Sequence, residues 1–297
     1  MSRLKTLLEL LRFPALFTAM ADIFAGYLFQ HDGLGPGRTF GGLLACSSLI
    51  YLGGMVLNDV CDVEQDRRER PGRPIPSGRI SRRGALVLAV VLLASGLAAG
   101  AAVSTRSGII AAVLVVCVVA YDALVKSTML GPVVMGACRS LNILLGMSTA
   151  AAPWSGPALH VTIALGMYIL GLTWFARREA SSTARWQLAI SSAVMDLAMA
   201  SLVGLLVYVN PDATPFVRFP YFVVIPFLLV VWIGRATYGA IEQPRPGGVQ
   251  TTVGKALMGI IGFDASVVCA MRGPVWAVGV LLMLVPAMLL ARRISPT

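Results

Sequence analysis

Histidine is nearly absent from this chain: two residues in 297, His31 and His160. That leaves little room for a histidine-based zinc site or a histidine triad. The cysteines, Cys46, Cys61, Cys117, Cys138 and Cys269, form no CxxC pair, so neither a disulfide framework nor a zinc site is expected. Charge is also scarce, at 13% of residues against roughly 25% in soluble domains, while 57% are hydrophobic and the mean hydropathy is +0.79. A chain this apolar lies mostly within lipid. No cleavable signal peptide opens it, because Glu9, Arg12 and Pro14 interrupt the first apolar run. An amphipathic surface helix is expected over Leu4–Leu11.

What the sequence does have is a series of long apolar stretches. Candidate spans are Leu11–Phe29, Phe40–Leu57, Ala85–Val103, Gly108–Tyr121, Pro132–Ala152, Ala158–Ala176, Leu188–Val209, Tyr221–Ile233, Ala256–Ala270 and Val275–Ala291. Crossing the hydrocarbon takes about 20 helical residues. Gly108–Tyr121, Tyr221–Ile233 and Ala256–Ala270 fall short of that, and Ala256–Ala270 carries Asp264. It is either a span or a re-entrant or surface segment, so the count is nine or ten. The fold class is therefore an all-α integral membrane protein, read as one polytopic unit over 1–297 with no soluble domain at either end.

Positive charge orients the chain. With the N-terminus cytoplasmic and ten spans, only Arg38, Arg106, Arg218 and Arg272 fall outside, Arg139 lies within a span and every other Lys and Arg is inside; nine spans would move only Arg292 and Arg293 outside. The expected location is the cell (inner) membrane, with cytoplasmic cap loops 59–83, 121–131 and 177–187. The net charge of +10 reflects that bias, and basic loops beside anionic headgroups require no nucleic-acid partner.

The densest polar segment, Asn58–Ile80, directly follows the second span. Asn58, Asp62 and Asp66 are four apart, so a continuing helix puts them on one face, with Asp59 at its edge. Such a face suits Mg²⁺, which prefers a few carboxylates plus substrate phosphates. Arginines after it, Arg70 and Arg73, can take phosphate oxygens as bidentate donors. Pro71, Pro74 and Pro76 stiffen this stretch, and Gly72 and Gly78 permit tight turns. It is either a rigid phosphate-binding loop or a stiff connector carrying topology-setting charge.

Four further constellations stand out. Tyr121, Asp122 and Lys126 follow the fourth span, where Lys126 is a diphosphate contact or a membrane anchor. Arg139 and Asn142 share a face of the fifth span; they line a cavity, or Arg139 pairs with Asp22, Asp196 or Asp264 to pack helices. Those three acids are functional candidates by their position within spans. After the sixth span come Arg177, Arg178 and Glu179. Glu179 is a further metal ligand or part of a basic interfacial loop, and Thr183 stands where a second acid would repeat the first motif.

Taken together these residues resemble the UbiA family of intramembrane prenyltransferases. Asn58, Asp59, Asp62 and Asp66 match its N-D-x-x-D-x-x-x-D signature, and Arg73–Gly78 match the arginine-proline stretch that follows. Tyr121 with Lys126, Arg139 with Asn142, and Arg12-x-Pro14 leading into Asp22 and Gly26 are also similar to the family. The second signature, D-x-x-x-D after the sixth span, is reduced here to Glu179. That departure is most similar to the EboC-like subgroup and leaves the acceptor open.

The resemblance implies a bundle of nine or ten helices around a central cavity. It implies a prenyl diphosphate donor, Mg²⁺ on Asn58, Asp59, Asp62, Asp66 and Glu179, and diphosphate held by Arg70, Arg73, Lys126, Arg177 and Arg178. Asp62, Asp66, Arg73 and Lys126 are the expected catalytic residues. Asp22, Tyr121, Arg139, Asn142 and Asp196 are the expected acceptor or cavity residues. The acceptor is a lipophilic or cyclic molecule, aromatic or cyclitol-like. The alternatives are a multipass transporter, which fits the intramembrane acids, and a non-catalytic isoprenoid-binding member of the same fold.

Overall fold

The computed structural model describes residues 3–177, 185–205, 221–243 and 246–294. Every regular element among them is helical. α1 (Arg3–Leu10) leads through a 3-10 turn at Phe13–Ala15 into α2 (Leu16–Gln30). Then come α3 (Gly37–Cys61), α4 (Val63–Glu69), α5 (Arg82–Val103) and α6 (Thr105–Ala120), which ends in a π-helical turn at Tyr121–Val125. The remainder is α7 (Gly131–Met147), α8 (Gly156–Ala176), α9 (Arg185–Ser201), α10 (Tyr221–Glu242), α11 (Pro246–Arg272), α12 (Pro274–Leu281) and α13 (Leu284–Ile294).

Local chemistry sets several of these boundaries. Ser81 accepts a hydrogen bond from the Gly84 amide at 3.1 Å and caps α5, and Ser104 caps α6 through the Ser107 amide at 3.0 Å. Proline opens α7, α8 and α12, where its missing N–H costs nothing. α1 is amphipathic as expected: Leu10 is buried with Val56, Val60 and Val63, while Leu4 faces out.

Among the described residues, 8 helices are long and apolar enough to cross a membrane. α2 and α7, of 15 and 17 residues, are shorter and pack against each other. Gly26 and Gly146 make that contact possible. A Cβ on Gly26 would lie 2.2 Å from the Ile143 carbonyl oxygen, and one on Gly146 would lie 2.8 Å from that of Ile23. Small residues let membrane helices approach this closely.

The three stretches that fell short in the sequence are longer as helices. The largest correction concerns Ala256–Ala270. It is neither re-entrant nor superficial but the middle of α11, a helix of 27 residues. Ala256, Ile260, Ile261, Phe263, Asp264, Ala265, Val267 and Val268 are fully buried. A helix apolar all round belongs inside a bundle; Asp264 is its buried acid, and neither of its carboxylate oxygens has a hydrogen-bond donor among the described residues.

Both ends of the bundle are tied. At one end Arg272 donates to the Leu28 carbonyl at 2.7 Å and to Asp32 at 2.5 Å. Arg106 donates to the Ser148 and Ala150 carbonyls at 3.2 and 2.7 Å. The Asn58–Asp66 segment lies at the other end, and α13 packs back there against α1 and Phe13–Ala15.

Candidate active site

The expected acidic face forms, with a bend. α3 ends at Cys61, Asp62 leaves helical geometry, and α4 resumes at Val63. The spacing survives, because the Asp62 amide donates to Asn58 O and the Asp66 amide to Asp62 O, each at 2.9 Å. Asn58, Asp62 and Asp66 therefore still line one wall.

That wall bounds a polar bowl of about 1360 Å³. Its lining includes Arg70, Arg73 and Arg82 from the proline loop and its exit, and Tyr121, Asp122 and Lys126 from the π turn. Arg177 and the first turn of α11 complete it. Arg12, Asn58, Tyr121, Asp122, Thr173 and Ala176 also line a second, deeper cavity of about 390 Å³. Its walls are mostly apolar: Ile50, Met55, Leu114, Val118, Ile169, Leu172 and Leu257 among them. Tyr51, Arg139, Asn142 and Ser47 are its main polar points. A charged bowl that opens into an oily cavity suits a molecule with an anionic head and an apolar tail.

In the bowl every acid of the motif meets a cation. Arg73 donates to Asp66 at 2.6 Å and to Asp59 at 3.4 Å. Lys126 Nζ is hydrogen-bonded to Asp62 Oδ2. Arg12 donates to Asp59 at 2.6 Å and to the Asn58 amide oxygen at 3.2 Å. Arg12 has left-handed backbone (φ 44°, ψ 45°), a conformation that costs a non-glycine residue about 1–3 kcal/mol. Burial works against its charge, but Asp59, with Tyr51 and Asp66, outweighs that and raises its pKa above the ordinary arginine value. Asp59 is turned from the bowl and lines neither cavity. One position round the helix from Asn58, where a metal ligand was expected, it is buried between Arg12 and Arg73 and pairs with both.

The proline loop is ordered. Gly78 takes φ +75°, which only glycine adopts easily, whereas Gly72 does not use that freedom. Arg79 donates to the Gly72 carbonyl at 2.6 Å and to Glu9 of α1 at 2.7 Å. The loop thus carries Arg73 into the bowl on a braced backbone.

Deeper in, Arg139 and Asn142 meet the same acid. Arg139 donates to Asp22 Oδ2 at 2.8 Å and to Thr18 Oγ1 at 2.6 Å. Asn142 donates to Asp22 Oδ2 at 2.8 Å and to the Ala19 carbonyl at 3.0 Å, and accepts from Ser47 at 2.7 Å. The guanidinium lies 5.9 Å from the Tyr51 ring centroid. Arg139 thus both lines the cavity and pairs with Asp22. Asp22 itself is fully buried behind that wall and touches neither cavity, and Asp264 faces it from α11. Asp196 is a correction: it lies half-buried on α9, which packs against α8 and α10, and it lines neither cavity. Arg178 and Glu179 lie outside the described residues. Arg12, Asp122 and Tyr51 carried no assigned role in the sequence reading; their only signals were an Arg-x-Pro and the acid beside Tyr121.

Among the described residues no three His, Cys, Asp or Glu side chains gather as a metal cage. The donor set of the bowl wall is an amide oxygen and two carboxylates, all hard oxygens. It fits Mg²⁺ completed by substrate phosphate rather than by the protein.

A profile of the UbiA prenyltransferase family matches residues 19–246. The chain belongs to that family. It is an integral membrane protein of the UbiA type. It is 33% identical over 160 residues to digeranylgeranylglyceryl phosphate synthase of Ignicoccus hospitalis, covering 54% of this chain and 52% of the relative. The chain spans about half or less of the length of the curated relatives it matches. A structure described as giving insights into digeranylgeranylglyceryl phosphate synthase in membranes superposes with TM-score 0.65 at 21% identity. It covers 95% of this chain and 99% of its own. A UbiA homologue from Archaeoglobus fulgidus bound to GPP and Mg²⁺ gives 0.65 at 14% identity, covering 89% and 99%. These structures share the fold, which confirms the helical architecture expected from the sequence.

Proposed function

We propose that this UbiA-family member transfers a prenyl group from a prenyl diphosphate to a lipophilic acceptor carrying a glycerophosphate, at the junction of the bowl and the deep cavity. The observation that carries this is the pairing of Asp62 with Lys126 and of Asp66 with Arg73. Carboxylates suited to Mg²⁺ and cations suited to phosphate hold one another, and arrival of a magnesium diphosphate gives each a new partner of opposite charge. Asn58, Asp62 and Asp66 would hold the Mg²⁺, which supplies Lewis-acid neutralisation of the leaving group.

The chain's own residues do the rest. Arg73 and Lys126 bind the diphosphate oxygens and stabilise the charge that grows as the C1–oxygen bond breaks. Arg70 and Arg177, at the rim, extend that cover. The prenyl tail lies among Ile50, Leu114, Ile169 and Leu172, which exclude water from the allylic cation. The acceptor hydroxyl attacks C1 there, the diphosphate leaves with the electron pair of the broken C1–oxygen bond, and the hydroxyl's proton passes to the departing diphosphate or to water in the bowl. The bowl end is taken as cytoplasmic, following the distribution of Lys and Arg.

Two observations favour the glycerophosphate class over a cyclic acceptor. Digeranylgeranylglyceryl phosphate synthases are among the curated relatives that the chain matches. Arg139 and Asn142 spend their hydrogen bonds on Asp22, Thr18 and Ala19 instead of pointing unpaired into the cavity. The test supplies purified protein with Mg²⁺, geranylgeranyl diphosphate and either a geranylgeranylated glyceryl phosphate or 4-hydroxybenzoate. Prenylation of the glyceryl phosphate alone is expected. Prenylation of the aromatic acid alone would reverse the acceptor assignment, and donor binding without diphosphate release would leave a non-catalytic isoprenoid binder.

A further inference from the structure

The π turn Tyr121–Val125 does more than end a helix. The Lys126 amide bonds to the Tyr121 carbonyl at 2.9 Å, and the widened turn sets Asp122 and Lys126 against the same wall of the bowl. Such turns recur at functional sites. Here the turn grips two successive members of the acidic face. Lys126 holds Asp62, and Asp122 Oδ1 accepts from Asn58 Nδ2 at 2.7 Å.

The second grip has a chemical consequence. An asparagine amide has a donor side and an acceptor side, and a carboxylate can only accept. Asp122 therefore requires the nitrogen of Asn58 to face it. Arg12, which can only donate, approaches the opposite atom, Oδ1, at 3.2 Å. An acceptor on the nitrogen and a donor on the oxygen, from two separate segments, select the same amide orientation. That orientation puts the amide oxygen on the side of Arg12, itself part of the bowl lining, and keeps the N–H on the side of Asp122. A flipped amide would aim two N–H donors at a cation and remove one of three oxygens.

We propose that Asp122 is a positioning residue that locks the Asn58 amide with its oxygen toward the bowl, and thereby sets the Mg²⁺ requirement for prenyl diphosphate binding. This rests on the reading of Asn58 as a metal-holding residue. The role differs from that of Lys126. Lys126 changes partner when the diphosphate arrives, whereas Asp122 keeps its bond to Asn58 throughout. Asp122 lies outside the N-D-x-x-D-x-x-x-D stretch and 64 residues from its partner, so the motif alone does not contain it.

The test is a Mg²⁺ titration of geranylgeranyl diphosphate binding to the full chain in detergent, read by calorimetry rather than by turnover. Asp122→Ala is expected to raise the Mg²⁺ needed for half-maximal binding by about 10–100-fold, the usual cost of losing a group that orients a metal ligand. Asp122→Asn keeps an acceptor oxygen and is expected to stay near wild type. Asn58→Ala with Asp122→Ala is expected to be no worse than Asn58→Ala alone. An Asp122→Ala titration that superimposes on wild type overturns the proposal. So does an Asp122→Asn protein as impaired as Asp122→Ala, which would make Asp122 a direct ligand. Should Asp122→Ala fail to fold, the swapped pair decides. Asn58→Asp should raise the Mg²⁺ requirement, and adding Asp122→Asn should restore it; no restoration overturns the proposal. A wild-type protein with no Mg²⁺-dependent donor binding would instead overturn the reading of the whole site, and this inference with it.

Discussion

Arg73 and Arg139 each pair with an aspartate, at 2.6 and 2.8 Å, yet they sit in opposite settings. Arg73 hangs from a proline loop at the lip of a polar bowl, where phosphate and water can reach it. Arg139 projects from the middle of α7 onto an aspartate that is fully buried, with Thr18, Asn142 and Tyr51 around it. Both pairs are largely buried; what separates the two roles is access, since Arg73 and Asp66 both line the open bowl while Asp22 lines neither cavity. A pair at the lip exchanges partners at small cost, because solvent and substrate offer replacements. A pair in the bundle has none, so removing one partner strands the other. The same two residue types thus make an exchangeable site above and a fixed joint below.

The comparison breaks most completely at the bowl's acids. Asp62→Asn or Asp66→Asn should leave the protein inserted and folded but reduce turnover beyond the roughly 100-fold that loss of a supporting partner already costs a metal site. Full activity in both variants, measured as Mg²⁺-dependent diphosphate release, would return these acids to a solvated helix end. Below, the expected damage is to stability. Asp22→Asn or Arg139→Met should lower unfolding free energy by about 3–5 kcal/mol, as breaking a buried pair does. Replacing both with apolar residues should recover most of it in a detergent unfolding assay, and a double variant no better than the singles would contradict the joint.

Smaller changes sharpen the contrast. Gly26→Ala forces α2 from α7 and should cost about 1–3 kcal/mol by overpacking. Because Asp22 and Arg139 ride on those two helices, the loss should be smaller in an Asp22 and Arg139 double apolar background; equal losses would show that the contact and the pair are uncoupled. Arg73→Lys keeps the charge but loses the fork. About a 10-fold rise in donor KM is expected, the size of one charge-assisted hydrogen bond. An unchanged KM would mean that charge alone suffices at position 73.

Much of this was legible in the chain, and the rest was not for physical reasons. Asn58, Asp62 and Asp66 could be read because their relation is local: a four-residue repeat survives even the bend at Asp62. The pairing of Asp59 was not legible in the same repeat. Its partners, Arg12 and Arg73, lie 47 and 14 residues away, and nothing local announces that they turn it inward. Asp122 went unassigned because its bond crosses from α6 to α3. From sequence, Ala256–Ala270 stayed open between a span and a re-entrant or surface segment, because it is short and carries Asp264. That acid lies fully buried inside the bundle, facing Asp22 of α2, and not against lipid. Hydropathy records what lipid would accept, whereas a helix in the centre of a bundle meets other helices.

The central claim is that the bowl holds a prenyl diphosphate through a metal-dependent acidic face. Its most direct test is binding of geranyl, farnesyl and geranylgeranyl diphosphates to the purified protein, with and without Mg²⁺, beside Asp62→Asn. The account predicts that at least one donor binds only with Mg²⁺ and that the variant loses this binding. Donor binding that is indifferent to both Mg²⁺ and Asp62, or no binding of any donor, would contradict it.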